Sequence, residues 1–359
     1  MKKILKKAVA TALAIVSALS LCSCSTVPFD YELSEYLTPA DYTKIEIDEE
    51  QVPIRAEQYK TDLINAHSKK SAEPIFGRRH RVGDIAVISY KCYTEESLVM
   101  PIGEETPVAL EDTGAELVIG RGKYLPAIES AILNTENFTV PIELHLILPT
   151  DFGITALAGK NVVFYLTVSA IYEFIPPTYD NTFIMENTRY STVEEYEAAM
   201  LIQARRDLVW EAFMEQSEVL SYPKTELNEH TLDFIEYYTN QATAASLTLE
   251  QFVARKFFME LSTFHLKADE YSKNYTKEEL SVYYIARHYG LELTDEEYEK
   301  AATGYANYYG YETLSEYEGI YGRTIINYTI LKEKVMKYVT ERSLSANPPQ
   351  DSEENTEAA

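Results

Sequence analysis

Leu-Val-Ile-Gly-Arg-Gly-Lys-Tyr-Leu-Pro-Ala-Ile-Glu (117–129) joins an apolar run to two closely spaced glycines and then to a proline. Pro126 opens a segment through Leu133 in which Ile128, Ala131 and Ile132 recur at helical spacing, so the stretch reads as strand, tight turn and short amphipathic helix. On its N-terminal side, Val-Gly-Asp-Ile-Ala-Val-Ile-Ser-Tyr (82–90) opens a run from Asp84 to Tyr93 that alternates apolar and polar positions. Phe138 to Leu148 and Val162 to Ile171 alternate in the same way, and each run is bounded by Gly, Pro or Asn. A period of two marks a strand with one buried face. The pattern predicts antiparallel strands forming a curved sheet with one helix lying across it.

Past Phe174 the texture changes. Ile175-Pro176-Pro177 interrupts the strand pattern, and a domain boundary is expected there, with helical periodicity to the end. Ser191 with Glu194, Thr276 with Glu279, Thr294 with Glu297 and Thr313 with Glu316 fit the capping box, in which a hydroxyl and a carboxylate satisfy free amides of a first turn. Tyr196, Met200, Leu201, Ala204, Leu208 and Phe213 suit one apolar helix face, and Leu227, Leu232, Ile235 and Tyr238 a second. Phe252, Phe257, Phe258, Leu261 and Phe264 suit a third, and Ile325, Ile326, Ile330, Val335 and Val339 a late one. The tail from Ser343 to Ala359 is acidic, contains Pro348-Pro349, has too few apolar residues to build a core, and is expected to be disordered. Ahead of the strands, residues 24–74 read as a tether and lead-in, with a helical pattern from Asp48 through Ala66.

Lys2, Lys3, Lys6 and Lys7 precede an apolar run from Ala8 to Leu21, shorter than a comfortable membrane span. The run reads as an export signal over residues 1–23. Leu21-Cys22-Ser23-Cys24 resembles a bacterial lipobox with Cys24 as the lipidated residue, because Cys22 would put the bulky Leu21 before the cut. The expected location is the extracytoplasmic face of the cell membrane, held by a stable lipid anchor. One further cysteine, Cys92, lies in a strand-like run and reads as a small buried hydrophobe. The net charge of −25 argues against nucleic acid as a partner. The cluster Arg78-Arg79-His80-Arg81 reads as a solvated loop before a strand. The six histidines (67, 80, 145, 230, 265 and 288) are scattered without ligand spacing, so neither a metal nor another cofactor is expected. The 29 tyrosines, dense from Tyr271 to Tyr338, leave two readings open: helix packing, or large amphipathic contact area for binding extended chains.

The order of blocks 82–90, 117–129, Leu-Pro-Thr-Asp-Phe-Gly (148–153) and Leu-Ala-Gly-Lys-Asn-Val-Val-Phe-Tyr-Leu-Thr-Val-Ser-Ala-Ile (157–171) resembles an FKBP-type prolyl isomerase domain in the version found in trigger factor. Asn181-Thr182-Phe183 and Ser191-Thr192-Val193-Glu194-Glu195-Tyr196 look like that family's junction and first arm helix. The resemblance implies an α+β architecture: an FKBP-like half-open antiparallel β-barrel with one short helix over residues 75–174, then an extended all-α chaperone arm over 175–342. No counterpart of the ribosome-docking domain precedes it, and no ribosome contact is expected.

Prolyl isomerisation crosses a barrier of roughly 18–20 kcal/mol set by partial double-bond character. A dry apolar pocket that favours the twisted amide lowers it without a nucleophile or metal. The resemblance assigns this pocket to Tyr90, Leu125, Ile128, Phe152 and Phe164. Ile128 stands where the family carries an aromatic floor, Ala115 stands at another aromatic position, and the family's phenylalanine-aspartate step is replaced near Pro107-Val108. The implied activity is that of a membrane-anchored peptidyl-prolyl cis-trans isomerase and chaperone for unfolded exported polypeptides. A holdase that binds without catalysis and an envelope scaffold or adaptor lipoprotein are the other two readings.

Overall fold

The computed structural model describes residues 29–346 apart from 76, 77, 79, 99–101, 103–105, 123 and 136–139. The export signal, Cys24, Phe138 and most of the acidic tail lie outside the described residues. The chain divides into two compact units. One is mainly helical and comprises the residues up to Asp62, Asp180–Tyr237 and those from Ala268 on. The other comprises Leu63–Tyr179 together with Tyr238–Lys267.

The helical unit opens with β1 (Leu37–Thr38) and the start of α1 (Gln51–His67). Residues 29–47 differ from the tether expected of them. Phe29, Leu33, Leu37 and Ile45 are buried in one core with Val209, Phe213, Leu280, Val335 and Val339. β1 pairs antiparallel with β8 (Glu218–Val219), Leu37 opposite Val219. Ala40 N–H donates to Ser217 Oγ at 3.0 Å, and the Ser343 hydroxyl donates to Ile45 O at 3.4 Å.

The second unit carries β2 (Lys69–Lys70), β3 (Ile85–Thr94), β4 (Leu110–Val118), α2 (Pro126–Asn134), β5 (Ile142–Ile147), β6 (Asn161–Tyr172) and β7 (Phe174–Ile175). Its main sheet is antiparallel in the order β4-β3-β6-β5. Ala86, Ile88, Tyr90 and Cys92 on β3 and Phe164, Leu166 and Val168 on β6 turn inward, and Ile128 and Ile132 of α2 pack against them. Full burial of each of the Ile, Leu, Val and Phe side chains among them is worth about 1.5–3 kcal/mol. β3 is bulged against both neighbours, between Ile88 and Tyr90 on the β4 side and between Val87 and Ile88 on the β6 side, which bends it over the helix. Arg78 is not merely solvated: its guanidinium makes two 2.8 Å bonds to the buried Asp84 carboxylate.

Beyond β7 come α3 (Asn181–Asn187), α4 (Val193–Gln216), β8, α5 (Lys224–Ala244), α6 (Leu249–Phe257), α7 (Leu261–Tyr289), α8 (Asp295–Tyr309), α9 (Leu314–Tyr321) and α10 (Arg323–Ala346). Thr294 and Glu297 form the expected capping box. At α4 the cap is one residue later than expected, with Thr192 accepting from Glu195 N. Thr313 accepts from Glu316 N at the start of α9. Thr276 starts no helix, because α7 runs through it and buries its side chain completely. Thr248 and Gln251 form a capping box that the sequence reading passed over. The third apolar face is also broken: Phe258 leaves the helix at φ 52° between α6 and α7.

Candidate peptide-binding pocket

Tyr90 on β3 lies beside Phe164 on β6, their ring centroids 5.6 Å apart. Both side chains are nearly inaccessible, as is Ile128 on α2. Leu125, ahead of α2, and Phe152, in the loop after β5, are half-buried and pack against the same cluster. All five residues assigned from the sequence therefore belong to the hydrophobic core of this unit, three of them buried and two at its edge.

The loop between β4 and α2 is held by Glu129. Its carboxylate, 6% exposed, accepts Gly120 N–H at 2.7 Å and Tyr124 N–H at 3.4 Å. Gly120 sits at φ 86°, and a Cβ there would collide with Val82, so the turn needs glycine. The turn delivers Tyr124, a pocket residue the sequence reading omitted although it stands next to Leu125. Asp112 was also missed. It faces Tyr90 across the β3–β4 ladder, a pairing that depends on the bulge at Ile88 and is invisible in a linear pattern. Asp112 is 8% exposed. Its Oδ1 accepts Thr113 N–H at 2.8 Å, whereas its Oδ2 and the Tyr90 hydroxyl have no hydrogen-bond partner among the described residues.

Burial holds the two phenols of the site protonated. Burial, helped by the Asp112 carboxylate, pushes the Tyr124 phenol up to about 12, and burial raises Tyr90 further. Cys92 is fully buried, and burial pushes its thiol up to about 12, so no thiolate is available at neutral pH. Among the described residues no group of three or more His, Cys, Asp or Glu is placed to hold a metal ion, and no helix is long and apolar enough to cross a membrane. Apolar side chains, two phenols and the carboxylates of Asp112 and Glu129 lie together here. Those groups suit the holding of an apolar side chain and its adjoining backbone.

No model of a protein family matches the chain. It is similar to the trigger factor of Caldicellulosiruptor saccharolyticus, at 23% identity over 79% of this chain and 66% of that protein. The trigger factor of Alkaliphilus oremlandii is 24% identical over 76% of this chain and 64% of its own length, and that of Nostoc punctiforme is 24% identical over 89% and 68%. The chain thus spans about two thirds of the length of these curated relatives. A solved structure described under "Promiscuous Substrate Recognition in Folding and Assembly Activities of the Trigger Factor Chaperone" aligns with a TM-score of 0.33 and 19% identity, covering 86% of this chain and 73% of that one. Over most of its length, with helices and strands in one chain, this protein is similar to trigger factors.

Proposed function

We propose that this protein is a lipid-anchored, extracytoplasmic folding factor that binds unfolded exported polypeptides. The unit built on β3–β6 is an FKBP-like half-open barrel whose pocket, formed by Tyr90, Leu125, Ile128, Phe152 and Phe164, accepts proline-containing segments and catalyses their cis-trans isomerisation. The helical remainder is a chaperone arm. Cys24 carries the lipid, and no ribosome takes part. The observation that supports this reading is that all five residues belong to one hydrophobic core, in a chain similar to trigger factors over most of its length. Binding without catalysis is the second reading. It is favoured by Ile128, a completely buried aliphatic residue where the resemblance expects an aromatic floor.

The test uses the chain from Ser25 on, which keeps every described residue. It should suppress aggregation of an unfolded protein and accelerate proline-limited refolding, and Phe152→Ala should lose the acceleration. Aggregation suppression without acceleration would remove the catalytic half of the proposal. Absence of both would remove the chaperone.

A further inference from the structure

The candidate pocket is already occupied by a segment of its own chain. α6 starts at its Thr248–Gln251 capping box and lies along β4, where Arg255 Nη2 approaches Glu111 Oε1 at 3.3 Å. Its last residue is Phe257, and the next turn breaks out at Phe258. A phenylalanine has no intrinsic preference for φ 52°; such a conformation is strained and persists only where surroundings compensate it. The compensation is visible. The Phe258 ring lies 5.5 Å from the Tyr124 ring, edge-on, and 6.2 Å from that of Phe152, and it packs against the buried cluster that contains Tyr90 and Phe164.

The backbone is engaged as well. Glu260 N–H donates to Gly153 O at 3.0 Å, and Ala156 N–H reaches Glu260 Oε1 at 3.4 Å. A Cβ on Gly153 would strike the Phe258 carbonyl oxygen and lie 2.9 Å from Met259 Cβ. Gly153 is therefore needed for a strand of chain to pass close over the loop. An aromatic ring in the seat and a main-chain hydrogen bond to the rim are features of a bound peptide.

We infer that the seat between Tyr124 and Phe152 recognises a bulky aromatic side chain on an apolar segment, and that Phe258-Met259 is its resident occupant, which a client must displace. The inference rests on the reading of this pocket as a peptide site. It adds the class of segment preferred, aromatic followed by apolar, and makes occupancy competitive. A resident ligand lowers the apparent affinity for every client by the fraction of time the seat is closed. Only segments able to compete for the aromatic seat would then be held, which restricts the pocket to chains exposing side chains normally buried.

The probe is a labelled peptide copying Arg255–Ser262, with a control peptide in which the residue corresponding to Phe258 is alanine. In the chain from Ser25 on, excess probe should speed hydrogen exchange at the Glu260 amide, and the control peptide should not. Phe258→Ala, with β3 and β6 amides still protected, should bind the probe roughly tenfold more tightly than the unmodified chain. Gly153→Ala should free the Glu260 amide yet fail to gain affinity, because the new methyl obstructs any backbone at that place. Binding of the probe without faster exchange at Glu260 would overturn the inference, as would equal affinity in the unmodified chain and the folded Phe258→Ala variant. Should Phe258→Ala not fold, the exchange competition in the unmodified chain decides alone. Accelerated refolding of a client with Glu260 still protected would sink the inference and spare the proposed function; displacement without foldase activity would do the reverse.

Discussion

Replacing Leu37 by alanine tests whether residues 29–47 are part of the helical core or merely lead up to it. Leu37 is 1% exposed and packs in the cluster containing Phe213, Val335 and Val339. Removing its isobutyl group forfeits transfer free energy and leaves a cavity; for leucines buried to this extent the cost is about 3 kcal/mol. The surroundings have little freedom to collapse, because Leu37 is pinned by its pairing with Val219 and its neighbour Tyr36 accepts Leu220 N–H at 2.8 Å. With a urea dependence of about 2 kcal/mol per molar, the midpoint should fall by about 1.5 M. The probe is built in: Trp210, the only tryptophan of the chain, is 5% exposed and belongs to the same cluster, so its fluorescence reports this unit directly. A midpoint within about 0.3 M of the unmodified protein would refute the argument, showing that the segment contributes nothing to the core it enters.

Two further predictions concern carboxylates with shifted titration, one half-buried and one buried. Burial raises the Asp233 carboxyl to about 6, with His230 opposing and Glu236 and Glu229 adding to the shift. The folded state therefore holds a proton that the unfolded chain has released, so stability falls as pH rises from about 4 to about 6 and stays lower above. Asp233→Asn should gain about 1 kcal/mol at pH 7, a figure reduced for the partial exposure of the group. The gain should vanish by about pH 4, and thermal melts at the two pH values showing a pH-independent gain would contradict this. Asp84 has the opposite sign: although burial works against its charge, the Arg78 guanidinium and the Arg81 N–H hold its carboxyl below the usual range. Asp84→Asn should cost about 2–3 kcal/mol at pH 7. That cost is present above the unfolded value near 3.9 and lost as pH falls through the folded one, so a loss that stayed constant down to pH 2 would count against the pairing.

What could be read from the sequence was what local periodicity encodes. β3, β6 and α2 lie within a residue or two of their expected ends because alternation and spacing are bounded by Gly, Pro and Asn. Tyr90, Ile128 and Phe164 follow from those patterns together with the family resemblance. Residues 29–47 carry no period; short turns join single buried side chains, and burial at Leu33, Leu37 and Ile45 arises only from helices much later in the chain. The break at Phe258 was hidden for a related reason. Phe-Phe-Met-Glu-Leu contains neither Gly nor Pro, so nothing local forces the turn, and contacts with Tyr124 and Phe152 hold it instead. Those partners lie more than a hundred residues away, beyond the reach of any window.

The antiparallel pairing of β1 with β8, and the contact of Ile45 with Ser343 in α10, set an order of events for the chain itself. Synthesis delivers the N-terminal end first, yet Leu37 waits for Val219 and Ile45 for a residue 298 positions on. Closing loops of that length carries an entropic charge that must be met before any contact rewards it, and distant pairings of this kind slow folding. Until α10 emerges, the core that takes in the side chains from Phe29 to Ile45 is incomplete. The clasp on the helical unit is made first and fastened last.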